Sequence, residues 1–229
     1  MANVKLVIFD VAGTTAKDDG LVVKAFQIAM REAGIAADSD QMLKGTEYVN
    51  STMGQRKIDV FTNIFNGDLV KANLAHEKFD SAYISLVNEG QLEEFQGISD
   101  LFKSLNENGV GIAITTGFPR TILQVIMNKL NWSEIVNISV SSDEVENGRP
   151  APDMILKSIK LYNEKFFTSI KPEEIAVVGD TDSDMKSGIA AGAKFVVGVT
   201  SGAMTEETLK NSGATHILPF STDLLTIIY

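Results

Sequence analysis

A chain of 229 residues, 44% hydrophobic and 22% charged, can build one sizeable core plus a smaller appended unit and is too apolar for wholesale disorder. It contains no cysteine, which excludes disulfides, thiolate nucleophiles and Cys-based zinc sites. Its formal net charge of −10 argues against a nucleic-acid partner, yet leaves room for a small anion where a metal, Lys, Arg and helix N-termini make a site locally positive.

Residues 1–10 read as a short apolar strand that ends in acid, not as a signal peptide, and no apolar run approaches the ~20 residues of a membrane span. A cytoplasmic protein without a membrane partner, monomer or homodimer, is expected. The near-continuous apolar run 4–9 suits a strand buried on both faces. A turn at Gly13-Thr14-Thr15 leads to a helix over 21–33, with Val22, Phe26 and Met30 at four-residue steps and Gly34 as its stop. Residues 36–91 read as mainly helical, with Phe79, Tyr83 and Leu86 on one face of a helix over 68–87.

From Gly97 the pattern alternates. Helices are predicted over 98–106, 120–130, 153–161, 182–191 and 206–211, with a further one at the C-terminus. Strands are predicted over 110–115, 138–141, 175–178, 195–199 and 216–218. Alternation of this kind predicts an α/β fold, a Rossmann-like parallel-sheet core with helices on both faces. The helical stretch after the first strand interrupts it. The predicted organisation is therefore a core of residues 1–15 and 96–229 and a helical cap of residues 16–95, joined by linkers near 16–20 and 90–97.

Ligands of such sheets bind beyond the carboxyl ends of the strands. The first strand ends in Asp10 and the turn Ala12-Gly13-Thr14; the second in Thr115-Thr116-Gly117. Gly148-Arg149-Pro150 follows the third, and Gly179-Asp180-Thr181-Asp182-Ser183-Asp184 the fourth. Two or three carboxylates can hold a hard cation such as Mg²⁺, and a free carboxylate oxygen can attack phosphorus. Thr116 and the amides of Thr116 and Gly117 can donate to phosphoryl oxygens, and Arg149 can hold nucleophile and phosphate together. Taken singly, each has a plainer reading: a helix cap, a turn or a surface arginine. Four such groups at successive strand ends favour the chemical one.

These segments resemble the haloacid dehalogenase superfamily of hydrolases over nearly the whole chain. Phe9 to Thr15 is similar to its first motif, Thr116 to the second, Arg149 to the basic third, and Gly179 to Asp184 to the acidic fourth. The resemblance implies that Asp10 is a nucleophile forming an aspartyl-phosphate. It implies Mg²⁺ ligation by Asp10, the Ala12 carbonyl and Asp180 with support from Asp184, and binding of the transferring group by Thr116 and Gly117. Most phosphatases of this superfamily carry an acid where this chain has Ala12, which can neither protonate a leaving group nor activate water. The Ala-Gly-Thr-Thr form resembles the phosphonatase branch, which cleaves a carbon–phosphorus bond through a Schiff base. Met53-Gly54-Gln55-Arg56-Lys57-Ile58-Asp59 is similar to the lysine segment of its cap and puts Lys57 at the Schiff-base position, with Gly13 and Gly54 beside the substrate. Where that branch has a cysteine, a histidine and a tyrosine, this chain has Leu21, Val60 and Phe118.

A small phosphorylated or phosphonylated metabolite is the expected partner. Cleavage of a P–C bond leads; a phosphatase acting on P–O bonds, and a non-catalytic phospho-ligand-binding α/β module, are the alternatives. Arg120, at a helix start near the second motif, is a further candidate for binding an anionic substrate. His76, His216 and Trp132 read as structural.

Overall fold

In the computed structural model, which describes residues 4–228, the chain opens with β1 (Leu6–Phe9) and β2 (Ala16–Lys17). Four helices follow: α1 (Leu21–Glu32), α2 (Asp40–Ser51), α3 (Lys57–Ile64) and α4 (Leu69–Leu86). A π-helical turn at Val87–Gln91 leads to β3 (Glu93–Glu94). Then come α5 (Ile98–Glu107), β4 (Gly111–Thr116), α6 (Arg120–Lys129), β5 (Ile138–Ser141), α7 (Asp153–Phe166), β6 (Ile175–Gly179) and α8 (Asp182–Ala190). β7 (Phe195–Val199), α9 (Glu206–Asn211), β8 (His216–Leu218) and α10 (Leu225–Ile228) complete the chain.

Six strands form one sheet in the order β5-β4-β1-β6-β7-β8, with every neighbouring pair parallel. β1 is buried at all four residues because it lies between β4 and β6 with apolar side chains on both faces. Leu6 and Ile8 point to a cluster with Ile155 and Val177, and Val7 and Phe9 to the opposite, larger cluster. That alternation is the period of two of a strand. The parallel sheet expected from the sequence is thus present, with α7 on one face and α5 and α6 on the other.

The segments read as linkers run side by side. β2 and β3 pair antiparallel, Ala16 opposite Glu94 and Lys17 opposite Glu93. Two residues per strand carry no period, so this ribbon was invisible in the sequence. Three of the helices between them, α1, α3 and α4, share an aromatic cluster in which Phe26 lies 4.7 Å from both Phe61 and Phe79. Phe118, from the loop after β4, joins it 4.5 Å from Tyr83. Among the described residues no helix is long and apolar enough to cross a membrane.

Candidate active site

The first carboxylate is set by the end of β1. The Asp10 amide donates to the Val178 carbonyl at 2.9 Å, extending the pairing with β6 by one residue before the chain turns. The turn is tight: the amides of Thr15 and Ala16 both donate to the Val11 carbonyl, at 2.9 and 2.8 Å, and the Thr15 hydroxyl donates to the Asp10 carbonyl at 2.8 Å. Gly13 sits in this turn at φ +85°, and a Cβ there would lie 2.4 Å from Asp180 Oδ2. Both the left-handed backbone and the close approach therefore require glycine.

Asp180 follows β6. The Thr14 hydroxyl donates to its Oδ1 at 2.9 Å, and the Ala203 amide to its Oδ2 at 2.7 Å. Asp184 lies in the first turn of α8, where it completes a capping box: its Oδ2 accepts from the Thr181 amide at 3.1 Å and hydroxyl at 2.6 Å. Arg149 is buried behind these acids. Its Nη1 lies 2.5 Å from Asp10 Oδ1 and 2.8 Å from Asp184 Oδ1, and its Nη2 donates to the Thr115 carbonyl and hydroxyl at 2.9 and 2.7 Å.

Carboxylate oxygens of Asp10, Asp180 and Asp184 lie within 4.8 Å of one another, all buried, with one guanidinium among them. Three acids against one cation leave an excess of negative charge. Burial, then Asp10, then Asp184 push Asp180 well above the usual carboxylate range. Burial pushes Asp184 up to about 6, with Arg149 pulling it down and Asp10 adding to the rise. Asp184 Oδ1 is buried, and its partner is the Arg149 guanidinium. Converging oxygens and surplus negative charge together fit a hard divalent cation.

Above this cluster lies a cavity of about 450 Å³. Asp10, Ala12, Gly13 and Asp180 line its core side, with Thr116 and Gly117 from the end of β4. Gly54 and Lys57 line it from the helical segment. The Lys57 side chain is buried, its Nζ 5.0 Å from the centre of the Phe118 ring and 5.9 Å from that of Phe26, and it donates to the Gln55 carbonyl at 3.3 Å. Burial brings its pKa from the ordinary lysine value down to about 8; Asp10 and Asp18 pull it up and Arg149 pushes it down. The net shift is downward because desolvation outweighs the nearby carboxylates.

Of the residues singled out in the sequence, eight share this cavity, and Arg149 and Asp184 stand behind Asp10. Arg120 does not line it. Its guanidinium donates to the Ser139 hydroxyl and carbonyl at 2.8 and 2.7 Å and pairs with Glu144, so that side chain ties α6 to β5 instead of facing the cavity. Three contributors went unnoticed in the sequence. Asp18 lines the cavity and is itself raised by burial; Ser201 and Ala203, after β7, hold the Gly13 carbonyl and Asp180. The Thr200-Ser201-Gly202 run was a fifth polar strand end and the available signal.

Comparison with known proteins agrees with this geometry. A phosphonoacetaldehyde hydrolase from Bacillus cereus is 26% identical over 238 aligned positions, covering 94% of this chain and 84% of that one. The pyrophosphatase PpaX of Bacillus cereus (strain B4264) is 24% identical over 192, covering 84% and 82%. A hydrolase from Pseudomonas syringae superposes with a TM-score of 0.82 at 23% identity, covering 98% of this chain and 97% of that one, which shows a shared fold. The haloacid dehalogenase-like hydrolase profile matches residues 7–198, and the chain belongs to that family of enzymes.

Proposed function

We propose that the protein is a Mg²⁺-dependent, phosphonatase-like hydrolase in which residues 16–95 act as a cap and Asp10 and Lys57 attack one small substrate from opposite sides. The observation that carries this reading is the buried Lys57 amine in the cavity that Asp10 lines, with its pKa lowered to about 8. A solvated lysine is almost wholly protonated at neutral pH; at this value a useful fraction is a free nucleophile.

The neutral amine adds to an aldehyde carbonyl of the substrate, and the adduct takes up a proton from solvent and loses water, leaving an iminium. An Asp10 oxygen then attacks phosphorus. The P–C bond breaks, its electron pair forms a carbon–carbon double bond as the C=N π pair moves onto nitrogen, and the result is an enamine with the phosphoryl group now on Asp10. The enamine takes up a proton at carbon, water hydrolyses the resulting imine to free Lys57, and a second water releases phosphate from Asp10. This route needs no acid at position 12, which agrees with Ala12. Thr116 and the Gly117 amide hold the phosphoryl oxygens, and Arg149 keeps the Asp10 carboxylate oriented. Asp10, the Ala12 carbonyl, Asp180 and Asp184 would hold the cation, which when bound offsets the charge building on the phosphoryl oxygens.

Borohydride added with phosphonoacetaldehyde tests the proposal. The reduced two-carbon or phosphonoethyl mass should appear on Lys57 alone, and the trapping rate should climb with pH until about 8, because only the unprotonated amine reacts. Unlabelled Lys57 in active protein at saturating substrate would retire the Schiff base. The second reading, a phosphatase for a small phosphorylated metabolite, draws support from the likeness to the pyrophosphatase and from the apolar Phe118 ring under the amine. It predicts phosphoester turnover that survives Lys57→Met.

Gly13→Ala separates the role of the cation from the rest. Its Cβ would displace the Asp180 carboxylate, so calorimetric Mg²⁺ affinity should fall about 10–100-fold. Unchanged affinity in a folded variant would remove Asp180 from the cation site.

A further inference from the structure

We propose that Arg56 is a positioning residue that clamps the loop carrying Lys57 onto the loop carrying Arg149, so that one side chain places both cations that flank Asp10. The inference rests on the roles given above to Lys57 and Arg149.

Arg56 precedes Lys57 as the N-cap of α3. Its Nη2 reaches across to the other half of the molecule and donates to the carbonyls of Val145 and Glu146 at 2.9 and 2.8 Å, contacts 89 and 90 residues away in sequence. Those carbonyls belong to the segment that leads through Asn147 and Gly148 into Arg149. A charged donor on two carbonyls is among the stronger neutral-acceptor bonds available to a side chain. The stem of Arg56 packs on Gly148: a Cβ there would lie 3.1 Å from Arg56 Cβ and 3.3 Å from its Nε. Nε is buried and has no partner, so the guanidinium is held at that seat by Nη2 and by packing, at the cost of an unpaired donor.

Beside it, the same loop rests on a second point of the core. A Cβ on Gly117 would lie 2.6 Å from the Gln55 carbonyl oxygen and 2.8 Å from that of Gly54, so the backbone of the loop touches the strand end that carries Thr116. Two contacts on either side of Lys57 fix the start of α3 over the cavity. Gly117 supplies the room; Arg56 supplies the attraction. Without the guanidinium, no charged side chain among the described residues joins the loop before Lys57 to the loop before Arg149. The amine would then be expected to drift from its place on the Phe118 ring and to meet solvent.

The test is site-resolved labelling of lysines by formaldehyde and cyanoborohydride in the full-length protein, read by mass spectrometry at fixed pH. In Arg56→Ala, labelling of Lys57 should accelerate severalfold, while the exposed Lys44 is labelled at its wild-type rate. Hydrolytic activity should fall about 10²-fold, the scale of a small misplacement of a reacting group. Arg56→Lys, which keeps a charged donor, should recover part of both. Gly148→Ala, which presses on the Arg56 stem from the other side, should reproduce the labelling change, and both milder variants stand in if Arg56→Ala does not fold. Wild-type labelling of Lys57 in a folded Arg56→Ala or Gly148→Ala protein would overturn the proposal. The labelling readout needs no Schiff base with substrate, so it stands or falls separately from the P–C reading.

Discussion

Asp10→Asn is expected to remove turnover on every substrate, by about 10⁴-fold or more, without unfolding the protein. The amide is nearly isosteric but cannot attack phosphorus. Its effect on stability should be small, within about 1 kcal/mol without added divalent cation, because two changes oppose each other. Arg149 loses one partner but keeps Asp184, and Asp180 is relieved of the neighbour that raises its pKa most after burial itself. Thermal melts in chelator check the second half of this expectation. A loss of activity accompanied by a large drop in melting temperature would mean that Asp10 is a structural anchor.

Arg149→Met should act the other way, on stability first. Among the described residues the guanidinium is the single charged donor that pairs with both Asp10 and Asp184, both of them buried. Removing it leaves three carboxylates within 4.8 Å of one another with no guanidinium among them. Breaking a buried pair in this manner costs about 3–5 kcal/mol, or on the order of 10 °C in a domain of this length. On the proposed mechanism activity should be lost as well, since Arg149 would also align the Asp10 oxygen. The sign of the pH dependence follows from the shifts. Asp180 and Asp184 have folded-state pKa values raised above those of the unfolded chain, Asp184 to about 6. The native state therefore holds protons that the unfolded state has already released, and stability without divalent cation falls as pH rises through about 4 to 6. In Arg149→Met, which lacks the group that lowers Asp184, this fall should be steeper and extend above pH 6, and added Mg²⁺ should offset part of it. A destabilisation that ignores both pH and Mg²⁺ would contradict the electrostatic account.

Much of this was legible in the amino-acid order because buried parallel strands carry continuous apolar runs and their ends carry the chemistry. Ile138–Ser141, Phe195–Val199 and His216–Leu218 match the predicted strands residue for residue. The acids at 10, 180 and 184 stood out for the same reason: each follows an apolar strand by at most a few residues. What escaped had a local cause each time. Helix α7 runs on to Phe166 instead of stopping near 161, and it ends with Phe167 in the left-handed region, where no glycine announces the stop. Arg120 is drawn away by Ser139 and Glu144, partners 19 and 24 residues distant that no periodicity connects. Lys57 was located by resemblance alone; its burial and lowered pKa follow from Phe26 and Phe118, which three-dimensional packing brings to it.

Every step above depends on the Asp10 carboxylate being a nucleophile held beside a divalent cation. Beryllium trifluoride, which bonds to a carboxylate oxygen as a phosphoryl mimic, tests this without knowledge of the substrate. Fluorine NMR of the wild-type protein with Mg²⁺ should show a bound resonance that disappears in Asp10→Asn and on chelation of the metal. The same resonance in Asp10→Asn, or binding indifferent to Mg²⁺, would contradict the account.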